Sequence, residues 1–163
     1  MKKAVLILFV SLALFFMLTP LVAAPATKTP FAGEMTMMLV YPGKVWTTAD
    51  GIEQVKGAVA EGSITGDISG SMAVTEDETL DLNTGEGYVH GKVVMTTAEG
   101  TFEGSFVGFI TDYYYMRGKA VGQGTGAYEG QKMMASFEGH SEMVDGVPTT
   151  MADLEGIILS PHG

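Results

Sequence analysis

Most of the chain consists of segments in which apolar and polar residues alternate with a period of two. In YVHGKVVMTT, residues 88–97, the apolar side chains share one face, and Tyr88, His90 and Lys92 share the other. The same alternation recurs in GSITGDISGSMAVT, TFEGSFVGFIT, YYYMRGKAVG, MASFEGHSEM and ADLEGII. This period is typical of half-buried antiparallel strands. The sequence therefore predicts an all-β protein with about eight strands between Gly33 and Leu159 and no helix.

Short polar and glycine-containing signals separate these segments. Tight reversals are predicted at Asp50-Gly51, Glu99-Gly100, Thr111-Asp112 and Asp145-Gly146. A longer acidic loop, TEDETLDLNTGEG, is expected to end at the turn Asn83-Thr84-Gly85. Successive strands joined by short reversals favour an antiparallel sheet.

Glycine falls repeatedly on the apolar face of the predicted strands, for example at Gly91, Gly104 and Gly108. Glycine inside a strand often marks a tight bend or a close backbone approach. Repeated on one face, it lets a sheet coil and leaves space on the concave side. We therefore predict a closed antiparallel β-barrel, which also removes edge strands, with a β-sandwich as the alternative.

The N-terminal residues have the layout of a secretory signal peptide. Lys2 and Lys3 precede an apolar run from Ala4 to Leu18, and small residues follow it up to Ala26. We expect residues 1–26 to be a cleaved leader and residues 27–163 to form a single barrel domain. The product would be periplasmic or extracellular, with no membrane span after cleavage, because the run is short for a spanning helix.

Composition narrows the possible partners. The chain has 19 acidic and 9 basic residues, a net charge of −10, and loss of Lys2 and Lys3 would make it more negative. Such a surface repels phosphate backbones, which argues against nucleic acid as a partner. The chain contains no cysteine, so an exported form depends on a packed core and not on disulfides.

Two metal hypotheses arise and neither is favoured. Met35 and Met37 share a strand face and could offer thioethers to Cu(I), but methionine more often fills irregular core space. The acidic stretch with Glu76, Asp77 and Glu78, continuing through Asp81, Asn83 and Glu86, lacks the spacing of a calcium loop. We interpret that stretch as a solvated loop, and we expect no metal and no cofactor.

The stretch GQGTGAYEG, residues 122–130, satisfies a dinucleotide-binding pattern through Gly122, Gly124 and Ala127. That fingerprint requires a helix after the glycines, because the pyrophosphate lies on the helix N-terminus. Here alternation resumes after Gly130, which predicts another strand. The stretch is better interpreted as a reversal between two strands, with Tyr128 as an apolar plug beside it.

The segment from about residue 87 to residue 140 resembles the small barrels related to allene oxide cyclases and dirigent proteins. The resemblance is carried by Gly124-Thr125-Gly126-Ala127-Tyr128, which matches their G-[TS]-G-x-[FY] turn before a late strand. It implies a barrel of the kind whose members shape reactive small molecules in the lumen. None of the catalytic residues of those families can be placed here by motif.

The candidate binding residues are those expected to face the lumen. The apolar candidates are Phe102, Phe106, Met116 and Phe137, and the polar ones are Tyr114 on the same face and Glu34 and Thr36 near an opening. These residues suggest a barrel that binds an apolar small molecule. A cyclase or isomerase is the alternative, and it requires an ionisable group in the lumen. A filled barrel that acts through its surface, as a homo-oligomer for example, is the third possibility.

Overall fold

The computed structural model describes residues 26–161, and the predicted leader, residues 1–26, lies outside them except for Ala26. The described chain forms nine strands and no helix, which confirms the all-β prediction. The strands are β1 (Thr27–Tyr41), β2 (Lys44–Thr47), β3 (Ile52–Gly66), β4 (Gly70–Asp81), β5 (Glu86–Thr96), β6 (Gly100–Thr111), β7 (Tyr115–Gly126), β8 (Lys132–Val144) and β9 (Val147–Ser160).

Eight of the strands close into an antiparallel barrel. The hydrogen-bonded order is β1-β9-β8-β7-β6-β5-β4-β3, and β1 also pairs with β3, so the closed barrel is confirmed over the sandwich. The short β2 pairs with the first half of β3, beyond the point where β1 ends. Across the β1–β3 pairing, Gly33 lies directly opposite Gly66. The other way around the barrel, from strand to neighbouring strand through β9 to β4, the successive partners of Gly33 end at Val55 on β3 and not at Gly66. This stagger tilts the strands, as closure requires.

Side chains fill most of the barrel interior. The main apolar cluster draws on every barrel strand except β7, and its largest fully buried members are Phe102, Ile64 and Met95. Several inner glycines lie directly beneath aromatic rings: a Cβ on Gly156 would lie 2.7 Å from the Phe31 ring. The expectation that glycines leave open space is therefore wrong at these positions, because rings occupy it.

Two strand boundaries differ from the prediction. β1 begins at Thr27, six residues earlier than expected, because Pro30 is accommodated within the strand opposite Ile157. The segment predicted as one strand across Gly66 and Gly70 is the end of β3, a turn and the start of β4. The turn escapes detection because Ile68 keeps the alternation going, and its side chain is buried.

The barrel has two distinct ends. The lower end carries the β3–β4, β5–β6 and β7–β8 turns, and the upper end carries β2 and the other five connections. At the lower end the Tyr128 ring stacks on Phe102 at 4.6 Å between centroids, and its hydroxyl lies 3.3 Å from the Thr97 hydroxyl. The first five residues of GQGTGAYEG end β7, and the remaining ones form a reversal to β8 that is plugged by Tyr128, as predicted.

Candidate functional site

Two glutamates, Glu76 and Glu78, lie on the inner face of β4. Residues two apart on a strand share a face, and both glutamates fall between Val74, packed against the main cluster, and the buried Leu80. The interpretation of Glu76, Asp77 and Glu78 as a solvated loop is therefore wrong. β4 continues to Asp81, and only residues 82–85 form the turn.

The two carboxyls divide the apolar interior. Above them, Leu80, Val89 and Ile110 form a small separate cluster, and below them lies the main one. The nearest cross-strand neighbours are small or aliphatic: Glu76 pairs with Gly91 and Ala58, and Glu78 pairs with Val89 and Val55. Both side chains are half-buried, and their carboxyl oxygens keep some contact with solvent.

The surroundings of these carboxyls favour their neutral form. Burial, and then the Glu78 charge, raise the pKa of Glu76 to about 7. Burial, and then the Glu53 charge, raise the pKa of Glu78 as well. Neither carboxyl has a hydrogen-bond or ion-pair partner among the described residues. A half-buried carboxyl with no cation or donor beside it binds a proton more readily than one in water.

Other acidic residues of the same region have clear structural partners. On the outer face, the Asp77 carboxylate accepts a hydrogen bond of 2.8 Å from the Gly57 amide at a bulge in β3. Asp81 accepts bonds from the Asn83 backbone and side chain, which lower its pKa. The fold therefore accounts for Asp77 and Asp81 but supplies no partner for Glu76 and Glu78. Inner carboxyls that the fold leaves without a partner, and whose pKa is raised, are candidate functional groups.

Within residues 26–161, no group of three or more His, Cys, Asp or Glu side chains has an arrangement suited to a metal ion. Met37 is buried in the main cluster, and Met35 packs against it. Carboxyl groups such as those of Glu76 and Glu78 can accept hydrogen bonds and exchange protons.

Four predicted candidates do face the interior. Phe102 and Phe137 are buried in the main cluster, and Phe106 and Met116 pack against it. The Phe106 and Phe137 rings meet edge to face at 6.2 Å between centroids. Phe106 also contacts the upper cluster, so it lies at the boundary between the two apolar regions.

Three predicted lumen residues lie elsewhere. Glu34 and Thr36 are exposed on the outer face of β1, because Met35 and Met37 take the inner face. Tyr114 is 65% exposed in the β6–β7 turn, because the inner alternation of β7 begins only at Met116.

Glu34 and Thr36 line an outer groove of about 1030 Å³ that runs from β6 across β7, β8 and β9 to β1. The groove carries charges of both signs, including Arg117 and Glu138, and the Glu138 carboxylate accepts a 2.6 Å hydrogen bond from Tyr115. The Glu138 carboxylate thus already has a partner within the fold. The inner carboxyl pair is therefore the better candidate site.

Once β4 is known to run from Gly70 to Asp81, a simple count places both carboxyls on its inner face. Steps of two from Met72 through Val74 lead to Glu76, Glu78 and then Leu80, all on one face. That count requires the strand to continue through TEDET, where both faces are polar and the alternation disappears.

Among the described residues, no helix is long and apolar enough to cross a membrane. No protein-family model matches the sequence, and no curated protein has significant sequence similarity to it.

Proposed function

We propose that this is an exported barrel protein that binds a small, mainly apolar molecule, held through a hydroxyl or amino group by Glu76 and Glu78. The observation that carries this proposal is the unpartnered carboxyl pair on the inner face of β4. Binding sites for small molecules are typically apolar, with a few polar groups that fix the orientation of the ligand. The leader-like N-terminus supports export.

The surroundings of the pair fit such a ligand. The flanking side chains Val55, Val89 and Leu80 are aliphatic, and Phe106 lies at the border of the same region. A ligand donor would supply the hydrogen bond that the described chain does not provide. A ligand that covered the carboxyls would remove their remaining contact with solvent. Because a buried polar group without a partner is costly, the carboxyls favour a ligand with a donor over a pure hydrocarbon.

Acid–base catalysis of the cyclase or isomerase kind is the second candidate. The observation that favours it is the raised pKa of Glu76, about 7. A group that titrates near the working pH can both accept and donate a proton efficiently. This candidate also agrees with the resemblance to allene oxide cyclase-like barrels, and it uses the same two residues.

Two measurements test ligand binding at the carboxyls. Native mass spectrometry of protein purified from its own host should show an added mass that is released on denaturation. In solution, 1-dodecanol, dodecylamine and dodecanoate share one alkyl chain and differ only in head group. The alcohol and the amine should shift the carboxyl ¹³C resonances of Glu76 and Glu78, and dodecanoate should shift them less.

Charge-matched variants complete the test. Glu76→Gln and Glu78→Gln should lose the retained mass and the preference among the three head groups. Glu103→Gln changes an exposed glutamate on the outer face of β6 and should keep both. A protein without added mass, in which no probe moves either carboxyl resonance, would rule the site out.

A further inference from the structure

The two ends of the barrel expose very different side chains. In the upper connections and the strand ends beside them, large apolar residues point into solvent: Tyr41, Trp46, Leu82, Tyr114, Val144 and Val147. In the lower turns the two large apolar side chains of the described chain point inward, since Ile68 is buried and Tyr128 packs on Phe102. The six exposed residues, here termed the apolar rim, therefore mark one end only.

Hydrogen bonds between neighbouring upper turns support the rim. The Leu82 amide donates to the Gly51 carbonyl, and the Tyr113 amide donates to the Gly85 carbonyl. The Tyr113 hydroxyl donates to the Leu82 carbonyl at 2.9 Å. The side chains of Leu82 and Tyr114 are thus presented by turns that are hydrogen-bonded to one another, so little ordering of these turns is required when they are covered.

The charges in the turns at this end are of one sign, while the strands beside them also expose Lys44 on β2 and its cross-strand partner Lys56 on β3. Every charged residue in the upper turns is an aspartate, Asp50, Asp112 and Asp145, and each is exposed. The nearby Lys44 ammonium lies over the Trp46 ring at 5.4 Å from its centroid. An acidic ring repels anionic lipid but can approach the outward-facing ammonium groups of zwitterionic lipid.

We infer that the apolar rim docks on a zwitterionic lipid surface. Its tyrosines and tryptophan are of the type that settles at the membrane interface, where the ring is covered and the polar atom stays hydrated. The interleaved aspartates would remain at the level of the head groups. Charged residues such as these aspartates are depleted from the cores of protein interfaces, which opposes a protein as the occupant.

Trp46 is the single tryptophan of the chain and lies on the rim, so it reports this contact directly. Phosphatidylcholine vesicles should shift its emission to shorter wavelength, and lipids brominated on the acyl chain should quench it. Admixed phosphatidylglycerol should weaken both effects. The inference would be overturned if phosphatidylcholine vesicles left the Trp46 emission unchanged, or if phosphatidylglycerol strengthened binding.

Matched variants locate the contact. Tyr114→Ser/Val144→Ser removes two rim side chains and should lower vesicle binding by about tenfold or more. Val107→Ser/Val121→Ser removes two exposed apolar side chains from the outer wall and should change it less than about twofold. Equal losses in both variants would overturn the inference. Light scattering of the protein without lipid tests whether a second copy of the chain occupies the rim instead. Self-association that only the rim variant abolishes would also overturn the inference.

Discussion

The carboxyl of Glu76 is held inside the barrel in a form that depends on pH. Its pKa in the folded chain is about 7, against an ordinary value of 4.5, because of burial and the Glu78 charge. Between these values the folded state binds more protons than the unfolded state, so the free energy of unfolding should fall as the pH rises through this window. Above the pKa of the folded chain, this contribution to the free energy of unfolding is lost completely.

Glu76→Gln removes this ionisation while keeping the side-chain size. The variant should exceed the wild type in free energy of unfolding by about 2 to 3 kcal/mol at about pH 8, and match it at about pH 4. Denaturant unfolding across the pH range measures the difference. Glu103→Gln, on the outer wall, should leave the pH profile unchanged. A Glu76→Gln profile parallel to that of the wild type would show that the inner carboxyl does not titrate in this window.

Single glycines on the inner face differ sharply in what they contact. A Cβ at Gly118 would overlap the Phe137 ring and the Val107 carbonyl, whereas a Cβ at Gly122, on the same strand, would meet only Phe102 and Glu103 atoms at 3.4 Å or more. Gly118→Ala should therefore lower the free energy of unfolding by about 3 kcal/mol, and Gly122→Ala should change it by less than about 1 kcal/mol. Urea unfolding of the pair measures both, and similar losses would contradict the packing described here.

Only part of the site could be predicted at the residue scale. Phe102, Phe106, Met116 and Phe137 were found because steps of two along a regular strand fix the face of each residue. Tyr114 was misplaced because the same count was carried into a turn, where Asp112 and Tyr113 adopt positive φ and break the alternation.

At the scale of elements, β4 is the strand that the pattern hides. From Thr75 to Thr79 both faces are polar, so a period of two has no contrast to reveal it. The strand forms because its backbone is paired on both sides, with β3 and β5, through Asp81. Sheet pairing is a non-local property, and a local pattern cannot report it.

The β7–β8 turn contributes packing through one side chain. Tyr128→Ala removes the ring that stacks on Phe102 and should cost about 3 kcal/mol of the free energy of unfolding. Tyr128→Phe removes only the hydroxyl near Thr97 and should cost less than about 1 kcal/mol. Thermal or urea unfolding distinguishes the two. If the phenylalanine variant lost as much as the alanine variant, the hydroxyl and not the ring would hold the turn.

At the scale of the whole molecule, barrel closure followed from the glycines, although their local role was misjudged. Their positions on one face correctly indicated a strongly coiled sheet. How much of the interior is filled could not be predicted, because it depends on which ring reaches which glycine across strands. Phe137, for example, lies over Gly118 and Gly108 of two different strands.

The pairing of β1 with β3 is the joint that closes the barrel, and it is irregular between Leu39 and Tyr41. Gly62 on β3 lies at this seam, where an added Cβ would overlap the Thr36 carbonyl and lie 2.8 Å from the Met37 Cα. Gly62→Ala should therefore loosen the seam. Hydrogen exchange of seam amides in β1 and β3 should accelerate by about tenfold or more, while amides of β5 and β6 change less.

Ser63→Ala, the neighbouring exposed position on β3, provides the control and should leave exchange in β1 unchanged. The difference in exchange rate between strands is more informative than the total loss of protection, because local opening and global unfolding expose different sets of amides. If Gly62→Ala accelerated exchange equally in β1 and in β5, the barrel would open as one cooperative unit. Its closing seam would then be no weaker than its continuous wall.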